Sequence, residues 1–345
     1  MNRGLYNGQT NASVLVTGGA GYIGSHTCKY LASRGFLPVS YDDLSTGNRS
    51  SVRWGPLVIG DIGDTRSVAA SIRRYQVSAV VHFAASAYVA ESVTDPRKYF
   101  ENNLIKTISL LNVLVDEGVK DFVFSSTCAI YGVPERLPIS ESHPKAPVNP
   151  YGESKLAIER VLRWYGEAYG LKWISLRYFN AAGADPDGEI GENHPIETHL
   201  IPSIFGSLAS EAKALPIFGR DYPTRDGTAI RDYVHVSDLA RAHGLALDSL
   251  RQNRGNRAYN LGTGNGYSVQ EIVNIIEQVT GQRPRTEDLP GRKGDPPILI
   301  ADASLANEEL GWIPQHSRLD EMVSTAWQWH RMQKRDSARE VVAGS

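Results

Sequence analysis

Tyr151 and Lys155, in the run Asn149-Pro150-Tyr151-Gly152-Glu153-Ser154-Lys155, are two groups able to share one proton-transfer task. Four residues apart on a helix, they lie on one face, one turn apart. A phenol alone has a pKa of about 10 and is a poor base at neutral pH. A neighbouring ammonium favours the phenolate. Bringing that pKa to about 7 takes about 4 kcal/mol of differential stabilisation. Asn149 suits an N-cap and Pro150 the first helical position, which puts Tyr151 in the first turn. The helix dipole and the ammonium then both favour an anionic phenolate. A Tyr–Lys pair at this spacing also occurs on ordinary surface helices, so its meaning depends on the elements around it.

The amino-terminal end supplies those elements. Ser13-Val14-Leu15-Val16 reads as a short buried strand. Thr17-Gly18-Gly19-Ala20-Gly21-Tyr22-Ile23-Gly24 follows, then a helical run through Cys28, Leu31 and Ala32. Gly18, Gly21 and Gly24 have the spacing of a dinucleotide loop in its GxxGxxG form. They permit a tight turn, close approach to a pyrophosphate and close helix–sheet packing. Free N–H groups at the helix start attract the pyrophosphate. The next strand, Leu37-Pro38-Val39-Ser40-Tyr41, ends in Asp42-Asp43, eighteen residues past Gly24. An acid there accepts hydrogen bonds from ribose hydroxyls and repels a 2′-phosphate, which favours NAD over NADP. Asp42, nearer the strand end, is the better placed of the two. Asp61, after Leu57-Val58-Ile59-Gly60, stands where an adenine amino group is read, or where a helix is capped.

Strands near 13–17, 37–41, 57–60, 79–83, 121–125 and 172–177 alternate with helical stretches. That is the pattern of a doubly wound parallel α/β sheet of Rossmann type. After Asn180 the chain turns rich in Gly, Pro, Asp and His through residue 234, as in a loop-rich cap. Residues 235–262 read as a helix and strand returning to the sheet. The division expected is a cofactor-binding domain over 1–180, rejoined by 235–262, and a smaller substrate-binding domain over 181–345. Val269, Ile272, Val273, Ile276 and Val279 give residues 268–281 a helical core stripe. Residues 1–11 and 333–345 read as loose tails.

At 345 residues the chain has ample core for one large or two moderate domains. A net charge of −2 argues against nucleic acid or membrane as the main partner. Cys28 and Cys128 are far apart and no CxxC is present, so reduced packing cysteines of a cytoplasmic protein are expected, with no metal. No apolar run approaches transmembrane length, and the first eleven residues are too polar for a signal peptide.

TGGAGYIGSH, His82-Phe83-Ala84-Ala85, Ser125-Ser126-Thr127, the YGESK run and Arg177-Tyr178-Phe179-Asn180 occur in one order. Together they resemble the extended short-chain dehydrogenase/reductase family, and within it the 4-epimerases of UDP-hexoses. The likeness spans about residues 12 to 332. It extends to Phe218-Gly219-Arg220-Asp221-Tyr222-Pro223-Thr224, Arg231-Asp232-Tyr233-Val234-His235 and Asn260-Leu261-Gly262-Thr263-Gly264. The resemblance implies a resident NAD, touched by Tyr22, Ile23, Ile62, Phe83, Ala84, Ala85, Asn103, Ser125 and Tyr178 besides the residues above. It implies that Thr127 bonds the sugar oxygen and Tyr151, and that Lys155 holds the nicotinamide ribose. The 4-hydroxyl proton then goes to Tyr151 and the C4 hydride to the nicotinamide. The 4-keto sugar swings about its diphosphate link, and hydride returns to its other face.

The same resemblance assigns the UDP-sugar to Arg231 and Arg292 at the diphosphate, Asn180 beside it, the Pro216-Ile217-Phe218 backbone at uracil, and Asp295 at the ribose. His199 and Leu200 join that set, and Leu299 stands at the gatekeeper position near the sugar's C2 group. Leu299 is shorter than the Tyr of members restricted to simple hexoses, so some use of N-acetylated or pentose analogues is expected. Two departures stand out. Ala87 replaces a frequent Lys, and His199 replaces the Asn of some members. Cys128-Ala129-Ile130-Tyr131-Gly132 carries no acid after Thr127, unlike the related dehydratases, which argues against elimination of water. A net dehydrogenase, a pentose 4-epimerase or a dinucleotide-binding sensor fits the same loop; the joint presence of Tyr151, Lys155 and Thr127 argues against the sensor. Family members pair the helices near 98–117 and 151–169 between two copies, so a homodimer is expected.

Overall fold

The computed structural model describes residues 12–209, 214–292 and 295–343, with side chains described to Arg335. Seven strands form one sheet: β1 (Ser13–Thr17), β2 (Leu37–Asp42), β3 (Leu57–Ile59), β4 (Val77–His82), β5 (Asp121–Thr127), β6 (Lys172–Tyr178) and β10 (Arg257–Leu261). Their order is β10-β6-β5-β4-β1-β2-β3, and every pairing is parallel. The order reverses between β1 and β4, the place where such sheets open a crevice at their carboxyl ends. Every residue of β1 is buried, as expected for a parallel strand covered on both faces.

Helices α1 (Tyr22–Ser33), α2 (Thr65–Tyr75), α3 (Val89–Thr94), α4 (Pro96–Tyr99), α5 (Lys106–Asp116) and α6 (Pro150–Tyr169) connect these strands. One face of the sheet packs Val14, Val16, Val81, Val123 and Ile174 on Leu31, Leu247 and Leu250. The other packs Leu15, Val80, Phe122 and Phe124 on Leu110, Leu114, Ile158 and Leu162. Between α4 and α5 the helix widens into a π-helical stretch, Phe100–Ile105, that the sequence pattern did not signal.

The second region is built around β9 (Ile230–His235). Its first half lies between β11 (Gly266–Ser268) and β13 (Ile298–Leu299), and its second half pairs with β7 (Asn180–Ala182). A separate pair joins β8 (Leu215–Phe218) to β12 (Thr286–Leu289). Helix α7 (Leu200–Leu208) lies within the stretch read as a loop-rich cap. Helix α8 (Val236–Arg251) leads into β10 at the edge of the large sheet. Helix α9 (Val269–Thr280) has a capping box of Ser268 and Glu271, and left-handed Gly281 ends it. Helix α10 (Ser304–Leu310) and Trp312 pack onto the large sheet's core, not onto the β9 layer.

The carboxyl end corrects an expectation. Helix α11 spans Leu319–Ala343, so residues 333–343 continue a helix where a loose tail was read. The stretch contains no Gly or Pro before Gly344, and Gln, Lys, Arg, Ala and Glu dominate it. Residues 1–11, read as the other tail, lie outside the described residues. No helix among those described is long and apolar enough to cross a membrane.

Candidate active site

The loop after β1 is shaped by what its glycines lack. Gly18 has φ +72°, and a Cβ on it would stand 2.7 Å from the Ala84 amide nitrogen. That amide and the Phe83 amide both donate to the Thr17 carbonyl, fixing the turn after β4 against the loop. A Cβ on Gly24 would stand 2.1 Å from the Gly18 carbonyl oxygen, closer than any side chain tolerates. Gly21 differs: its Cβ would meet only the Gly18 oxygen, at 3.3 Å, and is otherwise open. Gly21 also caps α1 without a side-chain bond, and no acid lies in the first turn. The helix start therefore keeps its amide donors and dipole for an anion. These residues fit the pyrophosphate of a dinucleotide. Tyr22 anchors the same turn by donating its hydroxyl to the Gly183 carbonyl at 2.6 Å, and Ile23 packs on the core.

The structure separates the two acids at the end of β2. Asp42 is buried, and its two oxygens accept from the Ala20 and Leu44 amides at 2.9 Å each. Burial raises its pKa, and those amides oppose the rise. Asp43 is exposed and accepts from the amide and hydroxyl of Ser45, a local turn. Asp42 is thus the acid beside the glycine loop. Asp61 does not cap α2; Asp64 does, accepting from the Arg66 and Ser67 amides. Asp61 instead accepts from the Gly63 amide and pairs with Lys106. Burial raises its pKa, and Lys106 and the Gly63 amide together more than reverse that. Ile62 beside it is buried core.

At the carboxyl end of β5 the Tyr–Lys pair meets its neighbours. Asn149 caps α6 by accepting from the Gly152 amide at 2.8 Å, with Pro150 first in the helix, as the sequence predicts. Tyr151, Lys155 and Thr127 are all buried. Lys155 donates to the Ser125 carbonyl at 2.9 Å and lies 6.0 Å from the centre of the Tyr151 ring. Ser125 Oγ and the Tyr178 hydroxyl are 2.6 Å apart. Thr127 Oγ1 accepts from the Ala129 amide at 3.1 Å.

The electrostatics depart from the expectation of a low phenol pKa. Burial pushes Tyr151 well above its ordinary value, and Tyr178 adds to that. A hydrogen bond with Thr127 pulls the other way but does not win. Burial also brings Lys155 down to about 7. Desolvation disfavours both charged forms, and here it outweighs the attraction between phenolate and ammonium. Burial therefore holds Tyr151 as the neutral phenol and brings only Lys155 close to the point where it gains or loses its proton.

Asn103 is placed by the π-helical stretch and is fully buried. Its oxygen accepts from the Ser86 amide at 2.8 Å, and its nitrogen donates to the Ser86 carbonyl and Ser154 Oγ. Its bonds thus tie the 83–86 turn, including Ala85, to α6. Ala87 is exposed.

The other expected contacts gather around β9. Arg231 donates to Asp295 at 2.5 Å. The Arg292 guanidinium lies 3.9 Å above the Phe218 ring, and its carbonyl accepts from the Asp295 amide. Leu299 is opposite Arg231 in register and packs with Cys128 on a core of Ile130, Leu156 and Phe179. Asn180, half-buried, is opposite Tyr233. Strand β8, with Pro216 exposed and Ile217 buried, has β12 on one edge and no strand on the other among the described residues. His199 stands at the N-cap position of α7 without a side-chain cap bond, and its Nδ1 faces Glu192 and Glu197, while Leu200 packs into the β9-side core. Sequence reading missed Tyr222, whose hydroxyl is buried without a partner beside Gly291, in the field of Asp295, Arg231 and Arg292. An isolated Tyr in a loop offers no periodic signal to find it by.

A parallel sheet with an open helix start at its switch point, and a buried Tyr–Lys pair at its carboxyl edge, defines a dinucleotide-dependent enzyme of the dehydrogenase type. Residues 14–262 match the NAD dependent epimerase/dehydratase family, and the chain belongs to it. It is 49% identical over 326 residues to a UDP-glucose 4-epimerase of Azospirillum brasilense, covering 94% of each chain. A structure of UDP-glucose 4-epimerase from Brucella ovis in complex with NAD superposes with TM-score 0.90 and 52% identity, covering 92% of this chain and 98% of that one. The Stenotrophomonas maltophila enzyme, solved with NAD and formylated UDP-arabinopyranose, gives TM-score 0.91 and 40% identity, covering 94% and 100%.

Proposed function

We propose that this chain interconverts UDP-glucose and UDP-galactose by inverting C4 through a 4-keto sugar. The enzyme is an NAD-dependent isomerase, and the observation that carries the reading is the buried Thr127–Tyr151–Lys155 group at the carboxyl edge of a sheet whose first loop opens on an uncapped helix start. Bound NAD supplies the acceptor and then the donor of the C4 hydride. Gly18, Gly21 and Gly24 hold its pyrophosphate and Asp42 its adenosine ribose. Tyr151 takes and returns the 4-hydroxyl proton, directly or through Thr127. Lys155, fixed by the Ser125 carbonyl, holds its ammonium near the phenol. The large sheet, with β10, serves the cofactor, and the β9 and β8 layers serve UDP through Arg231, Arg292, Asp295, Asn180 and the free edge of β8. Binding energy concentrated in UDP leaves the sugar free to present two faces.

A homodimer through α5 and α6 is part of the reading. Exposed Ile105, just before α5, and exposed Trp164 on α6 support it. The cytoplasm is the compartment that fits two free cysteines. The half-buried Leu299 favours slower use of an N-acetylated hexose or a pentose. Purified enzyme supplied with UDP-galactose and no added NAD tests the reading. UDP-glucose should form without net NADH. Accumulating NADH indicates a dehydrogenase instead, and no conversion removes the assignment.

A further inference from the structure

The loop before α7 gathers two carboxylates and two imidazoles: Glu192, His194, Glu197 and His199. Their ligand atoms all lie within 4.8 Å of one another. His194 Nδ1 is 3.3 Å from Glu192 Oε1 and 3.6 Å from Glu197 Oε2. His199 Nδ1 is 3.4 Å from Glu197 Oε1 and in direct contact with Glu192 Oε1. Around a tetrahedral ion with ligands at about 2.0–2.1 Å, neighbouring ligand atoms stand about 3.4 Å apart. Three of the four distances lie near that value, two of them to different oxygens of Glu197, and a bound ion would have to part His199 from Glu192.

A second observation points the same way. Glu192 Oε1 and His194 Nδ1 are buried without an aligned hydrogen bond, and their close polar neighbours are the other members of this cluster. The Glu192 side chain is only 8% exposed. Buried polar atoms of this kind are seldom left without a partner. Four donor atoms within 4.8 Å of one another, two of them buried without aligned hydrogen bonds, form a set that an ion could join. The loop is also held from outside. Asn48 donates to the Asn193 carbonyl, Tyr88 to the Ile196 carbonyl and Trp329 to the Glu192 carbonyl.

We propose that Glu192, His194, Glu197 and His199 form a structural binding site for a divalent transition metal of the zinc class. Two imidazoles and two carboxylates are a borderline N/O donor set, which suits zinc or cobalt better than magnesium or calcium. A dication balances the two carboxylates with both imidazoles neutral. All four ligands come from one segment, which leads directly into α7 and touches α1 through the His194 and Tyr22 rings. The ion clamps that segment over the start of the cofactor helix. It is separate from the proton-transfer group, so the proposal stands whether or not the sugar assignment does.

The test uses untagged, full-length holoenzyme, stripped with a chelator and titrated with cobalt(II). Uptake of about one equivalent with intense tetrahedral visible bands, and a melting temperature that rises on adding cobalt or zinc, are expected. Glu192→Gln should lose both responses. Asp187→Asn, in the separate acidic group around Lys29, should keep them. If Glu192→Gln does not fold, His194→Gln is read in its place. No uptake, a weak octahedral spectrum, or uptake unchanged in the Glu192 and His194 variants overturns the site and leaves an ion-pair cluster.

Discussion

On the cofactor side of the cleft, position is set by backbone. Gly18 and Gly24 lie against main-chain atoms, and Asp42 is held by two amides. On the substrate side, position is set by long side chains: Arg231 leaning on Asp295, and Arg292 exposed above Phe218. The first arrangement cannot yield without moving the sheet. The second can shift by rotamer changes alone. A reaction that keeps its hydride partner fixed while its sugar turns over calls for that division.

Tyr151→Phe tests the rigid side most severely. The variant should retain NAD, because the hydroxyl lies outside the glycine loop, while kcat falls roughly 10³-fold, within the range for general acid–base catalysis. Steady-state rates and the bound-nucleotide content of the purified variant read this out. Turnover within tenfold of the parent removes Tyr151 from the chemistry.

Arg292→Ala probes the adjustable side. Losing one charge-assisted contact, of about 1.5–3 kcal/mol, should raise KM for the UDP-sugar roughly tenfold or more with kcat within a few-fold. A kcat that falls as much as KM rises means the arginine also aligns the sugar, and the contrast between the two sides fails there.

Leu299→Tyr has the smallest expected effect. Filling the space beside Cys128 and Leu156 should lower the rate with UDP-N-acetylgalactosamine several-fold more than with UDP-galactose, because a polar acetamide also needs partners to bind. Equal losses on both substrates, or no N-acetyl activity in the parent, show that Leu299 is not the selector.

The two sides were also unequally legible in the sequence. Buried parallel strands such as Val14-Leu15-Val16 are unbroken apolar runs, and the loop glycines are needed where they stand, so the large sheet could be read almost strand by strand. The cap of α6 was legible for the same reason, since Asn149 and Pro150 act locally. The choice of Asp64 over Asp61 as the α2 cap turns on the local path of a few residues. The high phenol pKa of Tyr151 depends on burial by distant segments, which spacing along one helix does not report. Of Glu192, His194, Glu197 and His199, the sequence singles out only His199, and that as a substrate contact. Only the folded loop brings their donor atoms together.

The widened stretch Phe100–Ile105 carries one more consequence. A π-helical turn is what a helix forms when it absorbs one residue too many. Deleting one residue inside the stretch would remove that extra residue and return the turn to α-helix, with its flanks still in register but Asn103 displaced. Asn103 would then face away from Ser86 and Ser154, and the turn after β4 would lose its tie to α6. A deletion inside the stretch is expected to straighten the helix while cutting the tie between the turn after β4 and α6.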